Sequence, residues 1–76
     1  MQRYGNRQGH SGIAEYELAP GRIRVRFVNN PEIYEYDRAR PGAGHVREMK
    51  KRAKDGRGLA TYISQHVGDN YARKYG

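Results

Sequence analysis

Apolar and polar residues alternate with a period of two in three stretches, residues 13–18 (IAEYEL), 22–28 (RIRVRFV) and 33–37 (IYEYD), each bounded by turn-forming residues. Alternation of this kind sorts side chains onto two faces of a sheet, and it predicts three strands. The connections are short, so neighbouring strands pair antiparallel as a meander. Closing the second loop over 29–32 sets Val28 opposite Ile33, Phe27 opposite Tyr34, Arg26 opposite Glu35, Val25 opposite Tyr36 and Arg24 opposite Asp37. In the first hairpin, Leu18 faces Ile23, Glu17 faces Arg24, Tyr16 faces Val25, Glu15 faces Arg26 and Ala14 faces Phe27. Apolar meets apolar and base meets acid, a match that a one-residue slip would destroy. Pro20 followed by Gly21 suits a type II or open turn, so a loop of about four residues is expected there.

Beyond Arg38 the period changes. A proline and glycine break (ARPGAG) is followed by Val46, Met49 and Ala53 at helical spacing, which predicts a helix over 45–54. Gly56 is a stop signal, and Gly58 starts a second helix with Leu59, Tyr62, Ile63, His66 and Val67 on one stripe, ending near Gly68. Tyr71 and Tyr75, four residues apart, suggest one more helical turn. Residues 1–10 lack apolar patterning and read as a flexible N-terminal arm. The predicted fold is α+β: one domain over 11–76, a three-stranded antiparallel meander followed by two C-terminal helices packed on one face. Tyr34 and Tyr36 fall on that face with Tyr16, Leu18 and Ile23, where tyrosines supply core area and their hydroxyls reach the rim.

Seventy-six residues provide a single small core, and the absence of cysteine removes disulfides and thiolate zinc sites from consideration. The longest uncharged run, 58–68, is too short to span a bilayer, and the N-terminus has no apolar leader, so a cytoplasmic chain is expected. The formal charge of +7 favours a polyanionic partner. Its distribution is uneven. In the predicted register Arg24 and Arg26 are flanked by Glu15, Glu17, Glu35 and Asp37, which leaves that face with two more acids than bases. Residues 38–57 carry eight basic residues against Glu48 and Asp55. Arg38, Arg40, Arg47, Lys50, Lys51, Lys54 and Arg57 are therefore the candidate polyanion contacts, with the helix starts near Gly44 and Gly58 as places for a phosphate. Tyr4, Tyr71 and Tyr75 are the candidate stacking residues.

Catalytic patterns are absent. GAGHVR at 42–47 opens like a dinucleotide fingerprint but has Arg47 where the third glycine belongs, and no parallel βαβ unit can surround it. His10, His45 and His66 stand on three predicted elements, Ser11, Thr61 and Ser64 lack His and carboxylate partners at a recognisable spacing, and no metal or other cofactor is expected. The residues describe a binding domain and not an enzyme.

The order of features resembles the KTSC domain, a small domain named for the C-terminus of some lysyl-tRNA synthetases. Ser11 and Ile13 open the first strand, RIRVRF supplies the second, Tyr34 and Tyr36 form the Tyr-x-Tyr of the third, and GRGLATYISQHVGDNYA is similar to the later part, with Gly58, Tyr62, Ile63 and Tyr71 at matching positions. The likeness covers residues 11–75. It departs where the family has a valine-proline step and this chain has DRARPGAGHV. The resemblance implies a non-enzymatic domain that also occurs as free-standing bacterial and phage-type proteins, for which RNA binding has been suggested. Two functions compete: nucleic-acid binding, RNA preferred to DNA, through the basic helical segment, or a protein-interaction or inhibitory module meeting an acidic protein surface. A monomer is expected, with homodimerisation through an uncovered sheet edge as a third possibility.

Overall fold

The structure is a computed structural model that describes residues 1–5 and 12–76. Among the described residues, five strands and two helices follow in the order β1 (Gln2–Arg3), β2 (Ile13–Ala19), β3 (Arg22–Phe27), β4 (Ile33–Asp37), α1 (Ala43–Asp55), α2 (Leu59–Tyr62) and β5 (Arg73–Tyr75), with α2 prolonged by a π-helical turn over Ile63–Val67. The sheet is antiparallel with spatial order β1-β2-β3-β4-β5. The α+β class and the three central strands match expectation. The two outer strands do not: the meander gains an edge at each side, and β5 makes the helices an insertion before the last strand.

The first hairpin keeps the expected pairs from Glu15–Arg26 to Leu18–Ile23, but pairing continues to Ala19–Arg22. Only Pro20 and Gly21 then remain in the turn, in place of the expected four-residue loop, and Gly21 at φ 72° supplies the left-handed residue it requires. A bulge between Ile13 and Glu15 sets Ile13 opposite Phe27, where Ala14 was expected. The extra residue returns Ile13 to the inner face, where it is buried.

The second hairpin is displaced by two residues from the expected register. Ile23 faces Tyr36, Arg24 faces Glu35, Val25 faces Tyr34, and Arg22 faces Asp37. The loop is responsible: Asn29 takes a left-handed φ of 59°, and the Asn30 side-chain oxygen accepts from the Glu32 N–H at 2.9 Å, which removes Val28 from the β3–β4 ladder. An even displacement keeps every side chain on its face. Tyr36 therefore remains in the core at 1% exposure, and Phe27 still touches Tyr34, now diagonally, with ring centroids 5.4 Å apart.

The inner sheet face contributes Ile13, Tyr16, Ile23, Val25 and Tyr36 to one core, and α1 adds Val46, Met49 and Ala53. Gly56 ends α1 in the left-handed conformation, its N–H directed to the carbonyls of Arg52 and Ala53. Leu59, Ile63 and Val67 complete the core from α2 and its π-helical turn.

The expected arm is partly structured. Gln2 and Arg3 pair with Tyr16 and Glu15, and Tyr4 is buried, its hydroxyl accepting from the Leu59 N–H at 3.3 Å. That N–H belongs to the first turn of α2, whose Gly58 cap offers no side chain, so Tyr4 fills the role of a cap from the opposite end of the chain. The rest of the arm, with Arg7 and His10, lies outside the described residues, as does Ser11 at the expected start of the domain.

The expected helical turn near the C-terminus is strand β5. Gly68, with φ 60°, ends the preceding turn, and the Ala72 N–H donates to the Glu35 carbonyl at 2.8 Å to begin the ladder with β4. Tyr71 packs edge-on against Tyr34 with centroids 4.9 Å apart, whereas Tyr75 lies on the outer face with its hydroxyl 3.2 Å from Glu35. Among the described residues, no helix is long and apolar enough to cross a membrane.

Candidate nucleic-acid interface

The outer face of α1 is built by the same spacing that buries Val46, Met49 and Ala53 on its inner side. Arg47, Lys51 and Lys54 are exposed there, and among the described residues none has a carboxylate partner. With Lys50, Arg52 and Arg57 they line an open depression of about 980 Å³. Its two carboxylates are each taken by an arginine: Glu48 pairs with Arg52 at 2.7 Å and Asp55 with Arg57 at 2.9 Å. Among the described residues, four cations therefore remain unneutralised along the depression.

Five of the seven candidate contacts, Arg47, Lys50, Lys51, Lys54 and Arg57, are brought together here. Lys50 is half-buried, and its Nζ donates to the Ala19 carbonyl at 2.6 Å, tying α1 to the β2–β3 turn. Arg38 and Arg40 lie elsewhere. Arg38 stands over the β2–β3 turn, where a Cβ on Gly21 would come within 2.8 Å of its Nε. Arg40 is held by the Asn70 side-chain oxygen at 2.9 Å.

Of the candidate stacking residues, Tyr4 is excluded by burial and Tyr71 is half-buried against Tyr34. Tyr75 remains 37% exposed, although Arg24 lies over its ring at 5.2 Å. Gly58 is no phosphate site, because the Leu59 N–H beyond it is satisfied by Tyr4.

Arg52, absent from the expected contacts, joins α1 to α2. Its Nε donates to Glu48, one of its terminal nitrogens lies 3.4 Å from the Gly58 carbonyl, and its guanidinium covers the Tyr62 ring at 4.9 Å. Tyr62 also gathers two of the histidines that the sequence places on separate elements. His45 Nδ1 lies 2.7 Å from the Tyr62 hydroxyl, and the His66 ring lies 4.8 Å from the tyrosine ring. The Tyr62–His66 contact follows from their four-residue spacing on one helical stretch, but spacing could not show that His45 joins them, which it does only when α2 folds back beside α1. No group of three or more His, Cys, Asp or Glu able to hold a metal occurs among the described residues.

The outer sheet face is organised differently. Arg24 Nε donates to Glu35 at 2.8 Å and a terminal nitrogen reaches Glu17 at 3.1 Å, while Arg26 Nε donates to Glu15 at 2.6 Å. Glu35 is buried at 5% exposure, and the hydrogen bond from Arg24 holds its carboxyl below the usual carboxylate range. The expected acidic balance is overturned: β1 and β5 add Arg3 and Arg73, and Arg22 faces Asp37, so five arginines meet four carboxylates. Arg22 and Arg73 are exposed and, among the described residues, have no ion-pair partner.

Comparison of the chain with known protein families, with characterised proteins and with solved structures returns no match.

Proposed function

We propose that the protein is a small non-enzymatic nucleic-acid-binding domain that prefers RNA to DNA and makes its main contact through the outer face of α1. The observation that carries the proposal is the set of exposed Arg47, Lys51 and Lys54, unpaired among the described residues, beside a depression whose two acids are already neutralised. Cations held in one open stripe neutralise successive phosphates and release their counterions. The preference for RNA rests on the resemblance to the KTSC domain.

The test is a salt titration against single-stranded RNA, single-stranded DNA and duplex. The logarithm of the association constant should fall with log salt by about 0.7 to 0.9 per phosphate contacted. Reversing the charge of Arg47, Lys51 and Lys54 together should abolish most of the binding. Lys50 is kept, because its contact with Ala19 is structural. Undiminished binding by that variant would remove the proposal, and a stoichiometric protein partner recovered after nuclease treatment would favour an acidic protein surface as the ligand.

A further inference from the structure

On the outer sheet face, Arg22, Arg24, Arg38 and Arg73 surround a polar cleft of about 320 Å³, with Tyr75 at its side. Its carboxylates are occupied: Glu35 accepts from Arg24 and Tyr75, and Asp37 accepts from the Ala39 and Arg40 N–H groups at 2.9 Å each. Arg22, Arg38 and Arg73 have no such partner among the described residues.

A third depression, of about 230 Å³, joins this cleft to the one on α1. It shares Gly21 and Arg38 with the sheet cleft, and Arg47 and Lys50 with the helix depression. The three form a continuous track around the edge of the molecule at the β2–β3 turn, lined among the described residues by ten cations and four carboxylates. An excess of six positive charges on one track accounts for nearly all of the chain's +7.

We infer that this track takes one single-stranded nucleic acid, whose backbone passes from the α1 face over the β2–β3 turn onto the sheet face, with Arg22 and Arg73 as its far phosphate contacts. The inference rests on the nucleic-acid reading above and adds the strandedness of the ligand and its path. The α1 face and the outer sheet face point in opposite directions, because the helices cover the inner sheet face. A duplex, stiff over about 50 nm, cannot turn around a body measuring 31 × 25 × 22 Å. A single strand bends freely, and its phosphates accept the paired N–H groups of the track's guanidinium groups. Tyr75, held by Glu35 and still 37% exposed, offers a ring edge beside the path.

The test compares a labelled single-stranded uridine oligomer of about 12 nucleotides, within the range of single-strand site sizes, with an RNA duplex of similar length. Replacing Arg22 and Arg73 with Gln should weaken single-strand binding about tenfold and reduce its salt slope by about 1.4, two contacts at about 0.7 each. Duplex binding, confined to α1, should be unchanged. Arg22→Lys with Arg73→Lys should retain most of the single-strand affinity, which separates lost charge from lost folding. Replacing Lys51 and Lys54 with Gln should weaken both ligands. Wild-type single-strand affinity in the Arg22 and Arg73 glutamine variant, or equal losses for strand and duplex, would overturn the path while leaving nucleic-acid binding intact. Failure of the wild-type protein to bind either probe at low salt would overturn both.

Discussion

Arg24 and Arg26 of β3 and Lys51 and Lys54 of α1 carry the same charge but occupy opposite situations. Arg24 and Arg26 lie in the middle of a sheet whose neighbouring strands present Glu15, Glu17 and Glu35 within 2.6 to 3.1 Å, so their charge is spent inside the protein. Lys51 and Lys54 lie on a helix face with no strand beside it, and nothing among the described residues pairs with them. A basic run is a binding surface only where its neighbours leave it unpaired. In a strand those neighbours come from other parts of the chain, whereas on an exposed helix face they come mainly from residues three and four positions away.

Three perturbations sharpen this contrast. The largest effect on stability is expected from Tyr36→Ala, which empties a fully buried site beneath the paired face and should cost about 3–5 kcal/mol in urea unfolding. Nucleic-acid binding per folded molecule should not change; weaker binding at an unchanged midpoint would mean that Tyr36 touches the ligand. Glu35→Gln should cost about 1–3 kcal/mol, because it replaces the buried, charged acceptor of Arg24 and Tyr75 with a neutral amide. The folded pKa of Glu35 lies below its unfolded value, so its stabilising contribution is present above the ordinary carboxylate range and disappears as pH falls through the lowered folded value. The stability gap between wild type and Glu35→Gln should therefore close in acid; a constant gap would show that the Arg24 pair is not the cause. The smallest effect on stability, within about 0.5 kcal/mol, is expected from Lys51→Gln combined with Lys54→Gln. That variant should nonetheless lose affinity for RNA, and a large fall in melting temperature would place these lysines in the structure instead.

The two hairpins show how far periodicity reaches. Tyr34, Tyr36, Ile23 and Val25 were assignable to one face because side-chain parity survives any even displacement, and the β3–β4 register differs from expectation by two residues. Which acid meets which arginine was not assignable: Glu35 faces Arg24 instead of Arg26, because Asn29 and Asn30 shape the loop and withdraw Val28 from the ladder. The helix stripes of Val46, Met49, Ala53, Leu59 and Ile63 were legible for a similar reason, since a period set by local backbone geometry needs no partner. So was the basic face of α1, which is the complement of that stripe.

The strands at the two ends were not legible. β1 has two residues and β5 three, too few for a period to register, and each exists because an adjacent strand offers free N–H and carbonyl groups. Their arrival reverses the charge balance of the outer sheet face, buries Tyr4 in the core and anchors Tyr75 beside Glu35. Local pattern thus suffices for element type, facing and the location of the unpaired helix charge. Register, edge strands and the joining of helix and sheet arginines into one track depend on contacts between distant residues, whose energies no short stretch of chain contains.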